Sequence, residues 1–175
     1  MNKTIEDIIN RRSIRKYTDE PVREEDLQTV LQAGLFAASA MGRQQAIMVV
    51  IQDPETLNQL ERLNASCVGR DPDTVHNFYG AKTVIVVLGQ KGNPNACADG
   101  SLVMGNMMLA AHALGLGSCW INRALESFET EEGKRILKTA GVEGEYVGVG
   151  NLILGYPAGE YPLAKARENN RIFRI

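Results

Sequence analysis

Histidine, tryptophan and cysteine are scarce in this 175-residue chain, with two, one and three copies. His76 and His112 are far apart and lack His-Glu-x-x-His spacing, which argues against a catalytic metal. Cys67, Cys97 and Cys119 form no Cys-x-x-Cys pair, so neither a zinc site nor a disulfide framework is expected. No apolar run is long enough to span a bilayer. The opening Met1-Asn2-Lys3-Thr4-Ile5-Glu6-Asp7 is polar and acidic, unlike a signal peptide, and with the unpaired cysteines it suggests a cytoplasmic protein without a membrane partner. A net charge of −2 leaves no general basic field, so no nucleic-acid partner is expected and any anion must be held by a local cluster. Gly-x-Ser-x-Gly and P-loop patterns are missing as well.

What is present is the apolar and charged content of one globular domain, 44% and 23%. Thr4 is placed to cap a first helix, with Asp7 three residues on and Ile5, Ile8 and Ile9 along one face. A second helix after Pro21 carries Glu24, Glu25 and Asp26 in its first turn and Leu27, Val30, Leu31 and Leu35 as its buried stripe. Ala46–Ile51 reads as a strand, Asp53-Pro54 as the cap of a helix with Leu57, Leu60 and Leu63, and Thr83–Leu88 as a buried strand. Residues 66–80 read as loop with a short helix, and 89–98 as a connector. From a cap at Asp99 to about Leu114, apolar residues lie on nearly every side of a helix, which predicts either a central core helix or one packed on a second subunit. Ser118–Ile121 is a short strand, 129–139 a helix, and Tyr146–Leu154 a strand in which Gly148 and Gly150 predict close backbone approach or a bulge. Alternating strands and helices make the class α+β or α/β.

Four segments could carry chemistry. Arg11-Arg12-Ser13-Ile14-Arg15 offers forked, permanently charged donors suited to a phosphate, although taken alone it reads more readily as a solvated helix end. Lys165-Ala166-Arg167 gains meaning if the tail folds back toward it. Ala38-Ser39-Ala40-Met41-Gly42-Arg43-Gln44 combines small residues, which admit a flat ligand, with two edge-bonding side chains, and reads equally as a compact turn. Gly115-Leu116-Gly117-Ser118-Cys119-Trp120 imitates a dinucleotide fingerprint, but Trp120 takes the place of the last Gly and the segment leaves a helix instead of a strand. His112 reads as a satisfied core residue and Cys119 as a small buried hydrophobe.

In order along the chain, these segments resemble the nitroreductase family of FMN enzymes. The resemblance rests on Arg-Arg-Ser-Ile-Arg-Lys-Tyr at 11–17, the Ser39–Gln44 turn, Phe78-Tyr79-Gly80-Ala81, Asn106-Met107, Leu-Gly-Leu-Gly-Ser-Cys-Trp-Ile at 114–121, Leu154-Gly155-Tyr156-Pro157 and Lys165-x-Arg167. It implies an α+β domain over 1–175, with a mixed central sheet flanked by helices, forming an intertwined homodimer. Residues 157–175 would be a C-terminal arm reaching the partner. Arg11, Arg12, Ser13 and Arg15 would contact the FMN phosphate, ribityl chain and ring edge, with Lys165 and Arg167 closing on the phosphate. Ala38, Ser39, Ala40, Gly42 and Gln44 would come from the other subunit. Asn77 and Asp99 would lie near the ring or ribityl edge, and the backbone of Trp120, Ile121, Asn122 and Arg123 near N5.

The chain departs from the family at Gly42, where Asn is common, at Gln45-Ala46, where Pro-Trp is common, and at Lys82, which replaces a Pro. Its 89–98 connector is too short for the helical lid of longer members, so the pocket is either open or completed by 66–80. The implied activity is ping-pong transfer of hydride from NADH or NADPH through flavin N5 to a nitroaromatic, quinone or similar acceptor, with no side-chain acid or base. Arg15 is the cation expected at the N1–C2 edge of the ring. A flavin-binding redox sensor or carrier without turnover is the alternative.

Overall fold

The computed structural model describes residues 1–175. Helices α1 (Lys3–Asn10) and α2 (Glu24–Leu35) lead into strand β1 (Ala46–Ile51) and helix α3 (Pro54–Ser66). Strand β2 (Thr83–Gln90), helix α4 (Ala96–Ala113), strand β3 (Gly117–Ile121), helices α5 (Ala124–Glu129) and α6 (Glu131–Thr139) and strand β4 (Tyr146–Gly155) complete the order. The sheet runs β1-β2-β4-β3. All three pairings are antiparallel, and the parallel element is an isolated bridge between Ser13 and Ser118 at the β3 edge. The α+β class with flanking helices is as expected. The parallel content of the sheet is confined to that bridge, because the segment 11–15 adds to the edge without becoming a strand.

Helices cover both faces. On one side Val84, Val86, Leu88 and Ile153 join Leu60, Phe128, Ile136 and Leu137 of α3, α5 and α6. On the other, Ile85, Val87, Leu152 and Leu154 pack against Leu27 and Val30 of α2 and Val103, Met104 and Met107 of α4. Side chains of a strand alternate between faces, so a strand covered on both reads as an unbroken apolar run, as β2 does. Between the pairs Val87↔Gly150 and Leu88↔Gly148 the register shifts, leaving Val149 as a bulge. Both glycines are required by packing. A Cβ on Gly148 would collide with the Ala124 carbonyl oxygen, and one on Gly150 would come 2.7 Å from the Trp120 indole.

Several boundaries differ from expectation for local reasons. Asn2, not Thr4, caps α1, its side chain accepting from the Ile5 N–H at 3.0 Å; Asp7 instead pairs with Lys3. Asn95 precedes α4, so Asp99 falls within its first turn. The expected 129–139 helix is α6, which starts at Glu131 because Thr130 caps it by accepting from the Gly133 N–H; a further helix, α5, precedes it unexpected, too short at six residues to leave a periodic signature. Residues 67–82 form turns with no helix. Asp53 does cap α3, accepting from the Thr56 N–H at 2.8 Å. Leu35, expected in the buried stripe of α2, is 64% exposed because the helix ends there and the chain turns outward. The α1 face of Ile5, Ile8 and Ile9 is exposed too, as are Phe36, Met41 and, on α4, Leu102. α4 therefore packs on the sheet with one side and presents Leu102, Gly105 and Asn106 outward.

Candidate functional site

The segment 11–17 is pinned along the β3 edge. Ile14 donates its N–H to the Ser118 carbonyl at 3.0 Å and buries its side chain. Tyr17 donates its hydroxyl to the Ile14 carbonyl at 2.6 Å, and burial raises its pKa. Alternation then turns Ser13 and Arg15 away from the core. The start of the tail runs back along the same segment: Ala158 donates to the Lys16 carbonyl, and the Arg12 N–H donates to the Tyr161 hydroxyl at 3.1 Å. A cavity of about 250 Å³ lies between Ser13–Lys16 and residues 157–162.

The two arginines before Ser13 are only partly satisfied. Arg12 Nη1 donates to the carbonyls of Ile9 and Arg11, yet Arg12 Nε and Arg11 Nη1 are buried with no partner in the chain. Buried charged donors left unpaired are costly, so these two unpaired guanidinium nitrogens fit an anion bound beside them. Tyr161 links the segment to α4, since its hydroxyl lies 3.0 Å from His112 Nδ1 while accepting from Arg12. On the other side of the ring, His112 Nε2 faces Asp7 Oδ1 at 3.9 Å. Burial lowers the His112 pKa below its usual 6.5; Asp7 opposes this, while Lys3, Arg11 and Arg12 reinforce it. His112 is thus a neutral buttress of the arginine segment and not merely a core residue.

A second cleft, about 280 Å³, opens at the end of β3. Arg15, Asn77, Trp120, Ile121, Asn122 and Arg123 line it, as do Val68, Arg70 and Tyr79, expected only as part of the 66–80 segment, and Asn64, which sequence reasoning missed. Asn64 is its structural pin: its amide donates to the Asn122 carbonyl at 2.7 Å and accepts from Asn77 at 3.0 Å. The signal for Asn64 was a polar residue in the Leu57–Leu60 stripe of α3, one helical turn beyond Leu60. Arg123 adopts φ 77° and Tyr79 φ 53°, left-handed conformations that hold the rims of the cleft out of regular structure. Residues 66–80 do border the pocket, whereas the 89–98 connector folds against the 39–45 turn, Gln90 pairing with Gln45.

That turn makes a third feature. Ala40–Gly42 is a single 3₁₀ turn, with left-handed Met41, Gly42 and Gln44. The Ser39 hydroxyl accepts from the Gln44 N–H at 3.0 Å, and the buried Asp99 carboxylate accepts from the Ala40 N–H at 2.9 Å. Asp99 thus anchors the turn and does not reach Asn77 or Trp120. Ala38, Ser39, Gln44 and Asp99 share a cavity of about 420 Å³ with Phe36 and Val103, separate from the cleft of Arg15 and Trp120. Lys165 and Arg167 lie in an exposed stretch that gathers on itself, without reaching Arg11 or Arg12 in the same chain. Within one chain, the expected site residues therefore fall into separate parts.

Residues 8–156 match the model of the nitroreductase family. The chain belongs to that family. It is 31% identical over 140 residues to an NADPH-flavin oxidoreductase of Vibrio harveyi, an alignment covering 69% of this chain and 54% of the relative. It therefore spans about half of that protein, and likewise 53% of an FMN reductase of Bacillus subtilis. A putative NADH dehydrogenase/NAD(P)H nitroreductase of Archaeoglobus fulgidus matches at 30% over the whole chain and 97% of its own length. Among solved structures, a Bacteroides fragilis nitroreductase with bound FMN superposes with a TM-score of 0.91 at 27% identity, covering all of both chains. An FMN-dependent nitroreductase of Clostridium difficile gives 0.86 at 26% identity, covering 99% of each chain.

Proposed function

We propose that the chain is an FMN-dependent oxidoreductase that oxidises NADH or NADPH and reduces an electron-poor acceptor such as a nitroaromatic or quinone. The observation that carries this reading is the pair of buried, unpartnered guanidinium donors of Arg11 and Arg12, set one residue before the cleft-lining segment. They fit the phosphate end of FMN, while the relatives named above supply the precedent for the cofactor. Bound there, FMN would supply hydride transfer between the nicotinamide donor and the acceptor.

The protein's own contribution is orientation and charge. Arg11 and Arg12 hold the phosphate, Ser13 adds a short hydrogen bond, and Arg15 places positive charge at the edge of the cleft. The Trp120–Arg123 backbone, fixed by Asn64, would be the wall beside the ring. No acid or base side chain is assigned.

The separate 38–44 and Asp99 cavity fits a site completed by a second copy of the chain, each supplying the half the other lacks. Exposed Ile5, Ile8, Ile9, Phe36 and Leu102 would be covered in that homodimer. Residues 157–175, with exposed Ile172, Phe173 and Ile175, would form an arm of the single 1–175 domain on the partner, bringing Lys165 and Arg167 to the partner's phosphate. Three free cysteines fit a reducing, cytoplasmic setting, and no helix is long and apolar enough to cross a membrane.

The test is anaerobic mixing of FMN-loaded protein with NADH or NADPH, followed by a quinone or nitroaromatic. Bleaching and then recovery of the flavin absorbance is expected. Bound FMN that neither nucleotide bleaches would instead indicate a redox sensor or carrier.

A further inference from the structure

The cleft beside Trp120 has an unbalanced charge. Three of its ten lining residues, Arg15, Arg70 and Arg123, are cationic and none is acidic. In a chain of net charge −2 this asymmetry is local. Arg123 is partly neutralised by Glu126 at 2.6 Å, but neither Arg15 nor Arg70 takes part in an ion pair.

Arg70 is free because the carboxylates around it are committed elsewhere. Asp71 accepts from the Asp73 N–H, and Asp73 pairs with Arg62 on α3 at 2.5 Å. Glu61 accepts from the Phe78 N–H and lies 3.6 Å from His76. The turn that carries Arg70 is tied to the end of α3, its own N–H donating to the Ala65 carbonyl. The loop 67–80 thus folds its acids back toward α3 and leaves one guanidinium on the cleft, near Tyr79 and Asn77. If Arg15 serves the cofactor edge, Arg70 is the cation left over.

We infer that Arg70 is a specificity determinant, selecting an aromatic or heteroaromatic substrate that carries a fixed negative charge. This rests on the redox reading above and adds a substrate class to it. Arg70 contacts the anionic substituent outside the reacting ring, Tyr79 and Ile121 flank the ring, and no residue of the cleft welcomes a cation. Two substrates could bring the anion: a phosphate of the nicotinamide nucleotide, or a carboxylate or sulfonate on the acceptor.

The test compares wild type, Arg70→Gln and Arg70→Glu, all loaded with FMN, using nitrobenzene, 4-nitrobenzoate and a nitroaromatic bearing a trimethylammonium group. Each acceptor is compared with itself across the variants, so differences in its reduction potential cancel. Arg70→Gln is expected to lower kcat/KM for 4-nitrobenzoate about tenfold while nitrobenzene changes less than about twofold. Arg70→Glu should go further and raise turnover of the cationic acceptor.

Rates of the NADH and NADPH half-reactions, followed separately, identify the source of the anion. A loss confined to those rates assigns Arg70 to the nucleotide phosphate; a loss confined to reoxidation assigns it to the acceptor. Equal effects on all three acceptors with unchanged half-reactions with NADH and NADPH would overturn the proposal, as would loss of FMN from Arg70→Gln. Wild type that holds FMN but fails to reduce nitrobenzene would overturn the redox reading itself, and this inference with it.

Discussion

Replacing Gly105 by arginine separates two accounts of α4 by the sign of the effect. Gly105 sits in the middle of an 18-residue helix, and a Cβ added there meets nothing within 4 Å in the chain. Were that face solvated, Gly105→Arg would exchange a poor helix residue for a good one and gain about 0.8 kcal/mol. For a domain of this size, that raises Tm by about 2–3 °C. If Leu102, Gly105 and Asn106 pack on a second copy, each dimer instead buries two new guanidiniums without partners. A cost of about 3 kcal/mol or more raises the dimer Kd at least about a hundredfold. Separation of the chains also separates the Arg15–Trp120 cleft from the partner's 38–44 turn, so FMN should be lost with the dimer. Sedimentation measured alongside the FMN-to-protein ratio reads both effects. A variant that melts higher, remains dimeric and keeps its flavin would refute an interface on this face of α4.

Three further outcomes follow from particular contacts. Gly148→Ala should cost about 3 kcal/mol and lower Tm by about 6–12 °C, because the new Cβ meets backbone of Ala124 and Leu125 that cannot rotate away; a shift under about 2 °C in a calorimetric scan would contradict that packing. Asn64→Ala leaves the Asn122 carbonyl and the Asn77 amide without their partner, a loss of about 1–3 kcal/mol that denaturant titration should register together with weaker FMN binding. His112 is held neutral by burial, so its folded pKa lies below its unfolded value of 6.5. Its contribution to stability is then complete above pH 6.5 and declines as pH falls below it, and His112→Gln should flatten the stability curve in that window.

The sheet strands and the long helices were legible because both core faces repeat with the period of their elements, as in β2 and α3. The bulge was legible from Gly148 and Gly150. The short helix α5 and the cap at Asn2 were not, since six residues carry too little periodicity and a single side chain decides a cap. At the site, Arg15 and Trp120–Arg123, both named by the ordered motifs, line one cleft. Within one chain Asp99 faces the 39–44 turn, accepting from the Ala40 N–H, and lies apart from the cleft. Arg70 and Tyr79 were not singled out within the 66–80 segment because they sit in a turn-rich loop with no periodicity, where only the tertiary fold brings them beside Trp120. Tyr161 and His112 lie 49 residues apart and meet through the returning tail, a contact no local pattern encodes.

The central claim is that Arg11 and Arg12 bind the phosphate of FMN. Its most direct test is the affinity of the cofactor-stripped protein for FMN against riboflavin, which differ in the phosphate alone, measured by quenching of flavin fluorescence. Two charge-assisted clamps predict FMN to bind at least about a hundredfold tighter, with most of that preference gone in Arg12→Ala. Equal affinity for the two flavins, or no binding of either, would contradict the account.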